Sequence, residues 1–297
     1  MPALEPYIDA HSHIWTPDTG HYPLAGGYQP EDMSPRSFTA EELLARCRPS
    51  GVGRVNLIQM SFYGFDNGYM LDMIKLYPER FVGTAVIDPF GPDPGKAMRE
   101  LLPKGVRAFR IQPGHRGDKS GTAGRQRAKL PPARWLEPPG YAAMFAAAAA
   151  TGQALSCLMN PDAFPEVRRM CRAFPDTTVI VDHLGRIGAS GTIDRADVDA
   201  LCALAEHPNV LVKVGAFYAL GKKTPPYLDL APLIRAVVRA FGPSRCMWES
   251  DCPFQVDKDR YLDSLSLVRD KLDFLTRDDR EWLLRRTAEK TLFRPEK

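Results

Sequence analysis

The chain has 297 residues, of which 44% are hydrophobic and 25% are charged, a composition typical of a globular protein with a sizeable core. The net charge is only +3 and no block of lysines and arginines is present, so nucleic-acid binding is not indicated. The most apolar run, residues 141–151, is far too short to cross a bilayer, which argues against a membrane protein.

The cysteines and the N-terminus indicate the cellular compartment. Six cysteines are scattered along the chain without a C-x-x-C pair, a pattern typical of reduced thiols. The N-terminus lacks the basic segment and apolar run of a secretory signal. We therefore expect a cytoplasmic protein.

Strand-like and helix-like segments alternate along the whole chain. A long loop rich in proline, glycine and aromatic residues (14–37) follows the first strand, and a polar, basic loop (113–139) follows the fourth. The predicted strands are 7–13, 54–61, 81–88, 105–112, 154–159, 177–182, 209–214 and 245–248. The predicted helices are 39–47, 68–77, 96–102, 141–150, 164–173, 197–206, 230–241, 261–275 and 278–292.

Alternating strands and helices imply a parallel sheet, and eight such units in a chain of this length fit a closed barrel. We therefore predict an α/β fold, a (β/α)₈ TIM barrel that forms one domain over residues 1–297 with long loops after strands 1 and 4. The alternative is a doubly wound open sheet. That fold would place a glycine-rich phosphate-binding loop after the first strand, where this chain has His11-Ser12-His13.

The pair His11 and His13 is the first candidate site. In a strand, residues two apart point to the same face, so both imidazoles would project together. They would supply two of the three or four ligands of a zinc site. The alternative is two unrelated histidines that are hydrogen-bonded within the fold.

Other polar residues fall where the predicted strands end, which is where active sites lie in this barrel. Asp251, after the eighth strand, could bind a metal or take a proton from an attacking water; otherwise it would cap a helix or pair with a base. His183, after the sixth strand, suits a general base, an electrophile or a metal ligand. Its structural alternative is a hydrogen bond to the adjacent Asp182.

Several basic and aromatic residues are candidates for substrate binding. Arg107 and Arg110 on the fourth strand face opposite sides, and whichever points inward could bind a carboxylate through its guanidinium. Lys213 on the seventh strand would pair with the substrate or with a neighbouring carboxylate. His115 and Tyr63 lie in loops expected over the barrel mouth. Together these residues indicate a small, anionic substrate.

Four segments of the chain match the amidohydrolase superfamily. They are Ile8-Asp9-Ala10-His11-Ser12-His13, Val179-Ile180-Val181-Asp182-His183-Leu184-Gly185, Asn209-Val210-Leu211-Val212-Lys213-Val214 and Met247-Trp248-Glu249-Ser250-Asp251-Cys252-Pro253. The sequence thus resembles the amidohydrolase-related branch of that superfamily, which includes lactonases for pyrone dicarboxylates and sugar acids as well as decarboxylases.

This resemblance implies a hydrolase that opens a small anionic lactone with activated water. It assigns His11, His13 and Asp251 to one divalent metal, zinc or manganese, and His183 and Asp251 to catalysis. Metal-dependent members of the superfamily place a histidine at the end of strand five, where this chain has Cys157 and Met159, so a metal-independent lactonase stays open.

Two alternatives to a lactonase remain at this stage. One is a metal-dependent decarboxylase of a small aromatic or muconate-type acid, and the other is a non-catalytic barrel that only binds a ligand. The sequence leaves a homo-oligomer open and indicates neither a nucleic-acid nor a membrane partner.

Overall fold

Eight parallel strands form one sheet in which each strand pairs with its neighbours in chain order. The computed structural model describes residues 7–114 and 131–294. The predicted (β/α)₈ barrel is confirmed. The strands are β1 (Tyr7–Ser12), β2 (Val52–Ile58), β3 (Phe81–Ala85), β4 (Val106–Ile111), β5 (Ala154–Cys157), β6 (Thr178–Val181), β7 (Val210–Val214) and β8 (Cys246–Trp248).

Helices connect the strands on the outside of the barrel. Thr39 and Glu42 form a capping box at the start of the first helix, and Gly152 ends the fourth in a left-handed conformation. The helices are α1 (Ala40–Cys47), α2 (Gly68–Leu76), α3 (Pro94–Leu101), α4 (Pro139–Thr151), α5 (Phe164–Ala173), α6 (Arg195–Ala203), α7 (Ala231–Phe241), α8 (Phe254–Lys258), α9 (Tyr261–Ser266), α10 (Arg277–Glu281) and α11 (Thr287–Leu292).

The two C-terminal helices are less regular than predicted. A π-helical turn, Leu267–Lys271, follows α9, and another, Trp282–Arg286, joins α10 to α11. The segments predicted to be helical, 261–275 and 278–292, are helical over residues 261–271 and 277–292, and these π-helical turns lie within them. Within the described ranges, no helix is long and apolar enough to cross a membrane.

The interior of the barrel is apolar at the N-terminal end of the strands and polar at the other end. Alternate strand residues point inward. The lower layer packs against Ala288 and Leu292 of α11, so this helix closes the lower end of the barrel. The inward apolar residues of this layer are Ile8, Ala10, Val82, Ala108, Ala154, Ile180, Leu211 and Met247.

The barrel closes between β1 and β8 through few backbone contacts. Ser12 and Cys252 form an isolated parallel bridge rather than a ladder. The Asp251 amide donates to the His11 carbonyl at 2.9 Å, and the His13 amide donates to the Cys252 carbonyl at 2.7 Å. We call this junction the seam, and the candidate metal ligands lie on its two sides.

Candidate active site

A bulge in β1 turns both histidines of the His-x-His pair into the barrel. Asp9 pairs with Val55 and Ser12 with Leu57, so three steps along β1 match two along β2. The inward series that begins with Ile8 therefore changes phase, and His11 and His13 continue it. Both histidines are buried.

Three ligand atoms converge at the seam. Nε2 of His11 and Nε2 of His13 are 3.2 Å apart, and they lie 3.5 and 3.3 Å from Oδ1 of Asp251. Ligand atoms about 2.1 Å from a tetrahedral zinc ion are about 3.4 Å from one another. These three side chains therefore fit one face of a zinc tetrahedron and can hold a divalent metal, and Oδ1 of Asp251 has no hydrogen-bond partner within the described structure.

His13 presents an unprotonated nitrogen to this point. Its Nδ1 lies 2.9 Å from the Ile58 carbonyl, an acceptor, so Nδ1 carries the proton and Nε2 has the lone pair. Burial lowers the pKa of His13 to about 4, which keeps the ring neutral at neutral pH. A neutral imidazole with a free Nε2 is the form that binds metal.

A buried ion pair lies beneath His11. The Lys213 ammonium is 2.9 Å from Oδ1 of Asp182, 3.2 Å from Oγ of Ser156 and 3.1 Å from Nδ1 of His11. Lys213 is fully buried. Burial raises the pKa of Asp182, but Lys213, His11 and Arg110 together outweigh burial and hold this pKa well below its usual range. Of the two partners considered for Lys213, the structure thus shows a carboxylate.

Glu249 connects the two sides of the site. Its Oε1 accepts from Nδ1 of His183 at 2.7 Å and from the His183 amide at 3.1 Å, while its Oε2 lies 3.1 Å from Nδ1 of His11. Burial lowers the pKa of His183, but the charges of Glu249 and Asp251 outweigh burial and the net shift is upward. His183 is therefore protonated more readily than an ordinary histidine.

Asp251 is held ionised by the histidines around it. Burial raises its pKa, but His183, His13 and His11 outweigh burial and hold the pKa well below its usual range. Tyr218, the middle residue of a short helical turn after β7 (Phe217–Ala219), donates its hydroxyl to Oδ2 of Asp251 at 2.7 Å. One carboxylate oxygen thus faces the histidine pair and the other faces the cavity.

Asp9 ties the two sides of the seam together from below. Its buried carboxylate accepts from the amides of His11 (3.1 Å) and Ser250 (2.9 Å). It also accepts from the hydroxyls of Ser12 (2.9 Å), Ser250 (2.5 Å) and Tyr261 (2.8 Å). Because these donors flank His11 on one side and Asp251 on the other, Asp9 fixes the spacing of both.

A cavity of about 560 Å³ opens above these residues at the C-terminal ends of the strands. His13, His183 and Asp251 form part of its floor. Among the described residues that line the cavity, Asp251 is the sole acid, and the basic ones are Arg110, Arg186, Lys223 and Lys258. The field in the cavity therefore favours an anionic ligand.

The structure separates the two arginines of β4. Arg110 lines the cavity, with Nη2 3.3 Å from Nε2 of His183 and Nε 3.7 Å from Oδ2 of Asp182. Arg107 points the other way, and its Nη1 donates to the Leu102 carbonyl at 2.9 Å. Arg110 is therefore the inward arginine, and Arg107 lacks the geometry for the substrate contact considered for it.

The remaining substrate-binding candidates lie away from the cavity or outside the described residues. Tyr63 is buried under the first long loop, where its hydroxyl accepts from the Thr16 amide at 3.2 Å. Lys213 lies below the cavity floor. His115 falls outside the described residues.

Two residues at the site were not among the candidates. Glu249 lies two residues before the candidate Asp251, and it shares the inward phase of Met247 on β8. Tyr218 lies in a turn after β7, where aromatic residues usually pack within a loop, so no sequence pattern distinguishes it. Cys157, which lies near the end of strand five where metal-dependent members have a histidine, packs in the layer between barrel and helices, while its neighbour Ser156 faces the interior.

Comparison with known proteins places this arrangement in a family. The amidohydrolase family model matches residues 8–294. The chain belongs to this family. An L-fucono-1,5-lactonase from Burkholderia ambifaria is 27% identical over 256 residues, which cover 83% of this chain and 80% of that protein.

Two further similar proteins extend the comparison. A 2-pyrone-4,6-dicarboxylate hydrolase from Comamonas testosteroni is 27% identical over 271 residues, covering 88% of this chain and 81% of that protein. A crystal structure of an amidohydrolase from Burkholderia multivorans with bound zinc superposes with a TM-score of 0.76, covering 97% of this chain and 99% of that one at 20% identity. This structural match shows the shared barrel fold.

Proposed function

We propose that this amidohydrolase opens a small anionic lactone by attack of water on the ring carbonyl. The observation that carries the proposal is the cavity floor, where an ionised Asp251 faces His13 and His183 beneath a rim of basic side chains. The relatives named above support it, because both are enzymes whose names describe lactone or pyrone substrates.

In this mechanism Asp251 is the general base. Its Oδ2 takes a proton from the water whose oxygen attacks the carbonyl carbon. The hydroxyl of Tyr218 donates to Oδ2 and holds the carboxylate in place. Collapse of the tetrahedral intermediate breaks the ring carbon–oxygen bond. The ring oxygen leaves with a proton, and the product is a hydroxy acid.

His183 and Arg110 complete the chemistry. Glu249 holds Nδ1 of His183, so Nε2 faces the cavity. Nε2 lies beside the Arg110 guanidinium, which can only donate, so it carries a proton for the leaving oxygen once Arg110 is bonded to the substrate instead. The Arg110 guanidinium beside it would bind a substrate carboxylate or the developing oxyanion. A divalent ion held by His11, His13 and Asp251 would supply polarisation of the carbonyl and a lower pKa for a bound water.

The test is turnover of a panel of five- and six-membered lactones, with and without carboxyl groups, measured by proton release and by NMR of the product. We expect hydrolysis with a preference for carboxylated rings. Asp251→Asn should reduce kcat by about 10²–10⁴, the usual contribution of a general base. Asp72→Asn is the matched control, because exposed Asp72 also accepts a tyrosine hydroxyl, that of Tyr22 at 2.8 Å.

Two results would overturn the proposal. One is release of CO₂ without ring opening, which would identify a decarboxylase. The other is unchanged lactone turnover in Asp251→Asn.

We also propose that the described barrel is the whole of one domain and that the protein works in the cytoplasm. The six free cysteines support a reducing compartment. Fractionation of the native host with an antibody would test the location, and recovery outside the cytoplasm would contradict it.

A further inference from the structure

One ring nitrogen at the site has two incompatible partners. Nδ1 of His11 lies 3.1 Å from Nζ of Lys213 and 3.1 Å from Oε2 of Glu249. An ammonium has only protons to donate, whereas an ionised carboxylate can only accept. At any moment Nδ1 can satisfy one of these two neighbours, because it either carries a proton or does not.

Each choice fixes the opposite nitrogen of the ring. If Lys213 donates to Nδ1, the neutral ring carries its proton on Nε2, which then donates towards Nε2 of His13. If Nδ1 carries the proton and donates to Glu249, Nε2 has a lone pair directed at the same point as those of His13 and Asp251. Only the second form can bind a metal through Nε2.

We propose that Lys213 and Glu249 act as opposed positioning residues that set the metal affinity of the His11–His13–Asp251 site. Glu249 favours the metal-binding tautomer of His11, and Lys213 favours the tautomer that excludes metal. This inference concerns the same site as the proposed lactone hydrolysis, but it is tested by zinc affinity. An absence of lactone turnover would therefore contradict the proposed function and leave this inference standing.

The burial of the two residues supports this role. Lys213 and Glu249 are fully buried, and neither is among the described residues that line the cavity, so their effect on a ligand must pass through His11 and His183. Oε2 of Glu249 has no hydrogen bond within the described structure, although it lies beside Nδ1. A proton on Nδ1 would satisfy this buried acceptor, and an unmade bond of this kind is costly.

The two residues also differ in what else they hold. Lys213 has Asp182 as a second anionic partner at 2.9 Å, so its ammonium keeps an ion pair when it no longer donates to His11. Glu249 keeps both bonds from His183 through Oε1 in either state. The change is therefore confined to one proton on the His11 ring, and the rest of the network can stay in place.

The experiment measures the zinc dissociation constant by competition with a chromophoric chelator, using the full chain stripped of metal. Glu249→Gln should weaken zinc binding by about 10–100-fold, because an amide replaces the acceptor behind a metal ligand. Lys213→Met should tighten it by about tenfold, because the competing donor is lost. Opposite signs are expected from two residues that contact the same nitrogen.

Ser156→Ala is the control. Ser156 contacts Lys213 and Asp182, at 3.2 and 2.6 Å, and none of its described hydrogen bonds is to His11. Its zinc affinity should stay within about threefold of the parent, since no partner of a ligand is changed. Variants that weaken binding together, or that leave it unchanged, would overturn the proposal.

A second measurement does not depend on the variants, in case Lys213→Met fails to fold. The ¹⁵N chemical shifts of the His11 ring in the unmodified protein report which nitrogen is protonated. We expect Nε2 to carry the proton in metal-free protein and Nδ1 to carry it after zinc is added. If Nδ1 of His11 carries the proton both without and with zinc, the proposed competition between Lys213 and Glu249 is refuted.

Discussion

Replacing Asp9 with alanine should destabilise the barrel and dismantle the site together. The side chain accepts five hydrogen bonds across the seam, two from backbone amides and three from hydroxyls. After the substitution, Ser12 and Ser250 can pair with each other, because their hydroxyl oxygens are already 2.9 Å apart. That pair uses only one of the two serine protons, so one serine hydroxyl, the amides of His11 and Ser250 and the hydroxyl of Tyr261 would lose this acceptor.

The size of the effect follows from this count. Four unsatisfied buried donors at about 1–3 kcal/mol each amount to about 4–12 kcal/mol. Burial raises the pKa of Asp9, which shows that the carboxylate pays a desolvation cost that alanine does not. Because alanine avoids that desolvation cost, we expect a net loss of about 3–5 kcal/mol in the free energy of unfolding, at the lower end of that range.

The assay is thermal unfolding by calorimetry, with lactone turnover measured on the folded protein. At about 2–4 °C per kcal/mol, a loss of about 3–5 kcal/mol should lower the melting temperature by about 6–20 °C. Asp72→Ala removes an exposed carboxylate that accepts one tyrosine hydroxyl, and its melting temperature should change by less than about 2 °C. If Asp9→Ala also melts within about 2 °C of the parent protein, the reasoning is refuted.

Three further substitutions test separate parts of the structure. In steady-state kinetics, Arg110→Met should raise KM for a carboxylated lactone about 10–100-fold, because a charge-assisted hydrogen bond to the substrate is lost. The control Arg107→Met, on the outer side of the same strand, should leave KM unchanged. Gly185→Ala should cost about 2–4 kcal/mol in urea unfolding, because Gly185 has a φ of +62° and a Cβ would overlap the Phe164 ring; a loss below 1 kcal/mol would contradict this. Leu292→Ala should cost about 2–5 kcal/mol by opening a cavity below the barrel, and an altered zinc affinity would show that the effect is not confined there.

The barrel could be predicted because its strands carry their own signal. Runs such as Thr178–Val181 and Val210–Val214 are apolar and largely β-branched, as expected of strands buried on both faces. The strand boundaries moved by only a few residues at either end. The π-helical turns after α9 and α10 could not be predicted, because they depend on how these helices pack against the closed barrel rather than on a local pattern.

The sequence allowed several residues of the site to be named, but it did not show which of them point into the barrel. The two-residue spacing of His11 and His13 correctly places both on one side, yet it does not show that side to be the interior. That outcome depends on the bulge in β1, which has no sequence signal here. For the same reason the inward arginine of β4 became clear only when the neighbouring strands fixed the phase of Arg107 and Arg110.

Roles that depend on distant partners were the hardest to predict. Lys213 finds its carboxylate on the neighbouring strand, and the proximity of Glu249 to two histidines follows from the curvature of the closed sheet. Tyr63 shows the opposite case, since a mouth-side position did not bring it into the cavity.

The seam between β1 and β8 has a consequence for the motions of the protein. The other neighbouring strands are joined by ladders, whereas this junction relies on a bridge, two backbone hydrogen bonds and the Asp9 carboxylate. Local opening occurs where backbone hydrogen bonds between strands are fewest, so the barrel should open first at the seam. Because His11 and His13 stand on one side and Asp251 on the other, each opening separates the candidate ligands while the helices and the other strands keep their places. Hydrogen exchange at the amides of His13 and Asp251 would then report how often the seam opens. A bound ion or substrate would connect both sides of the seam and slow this exchange.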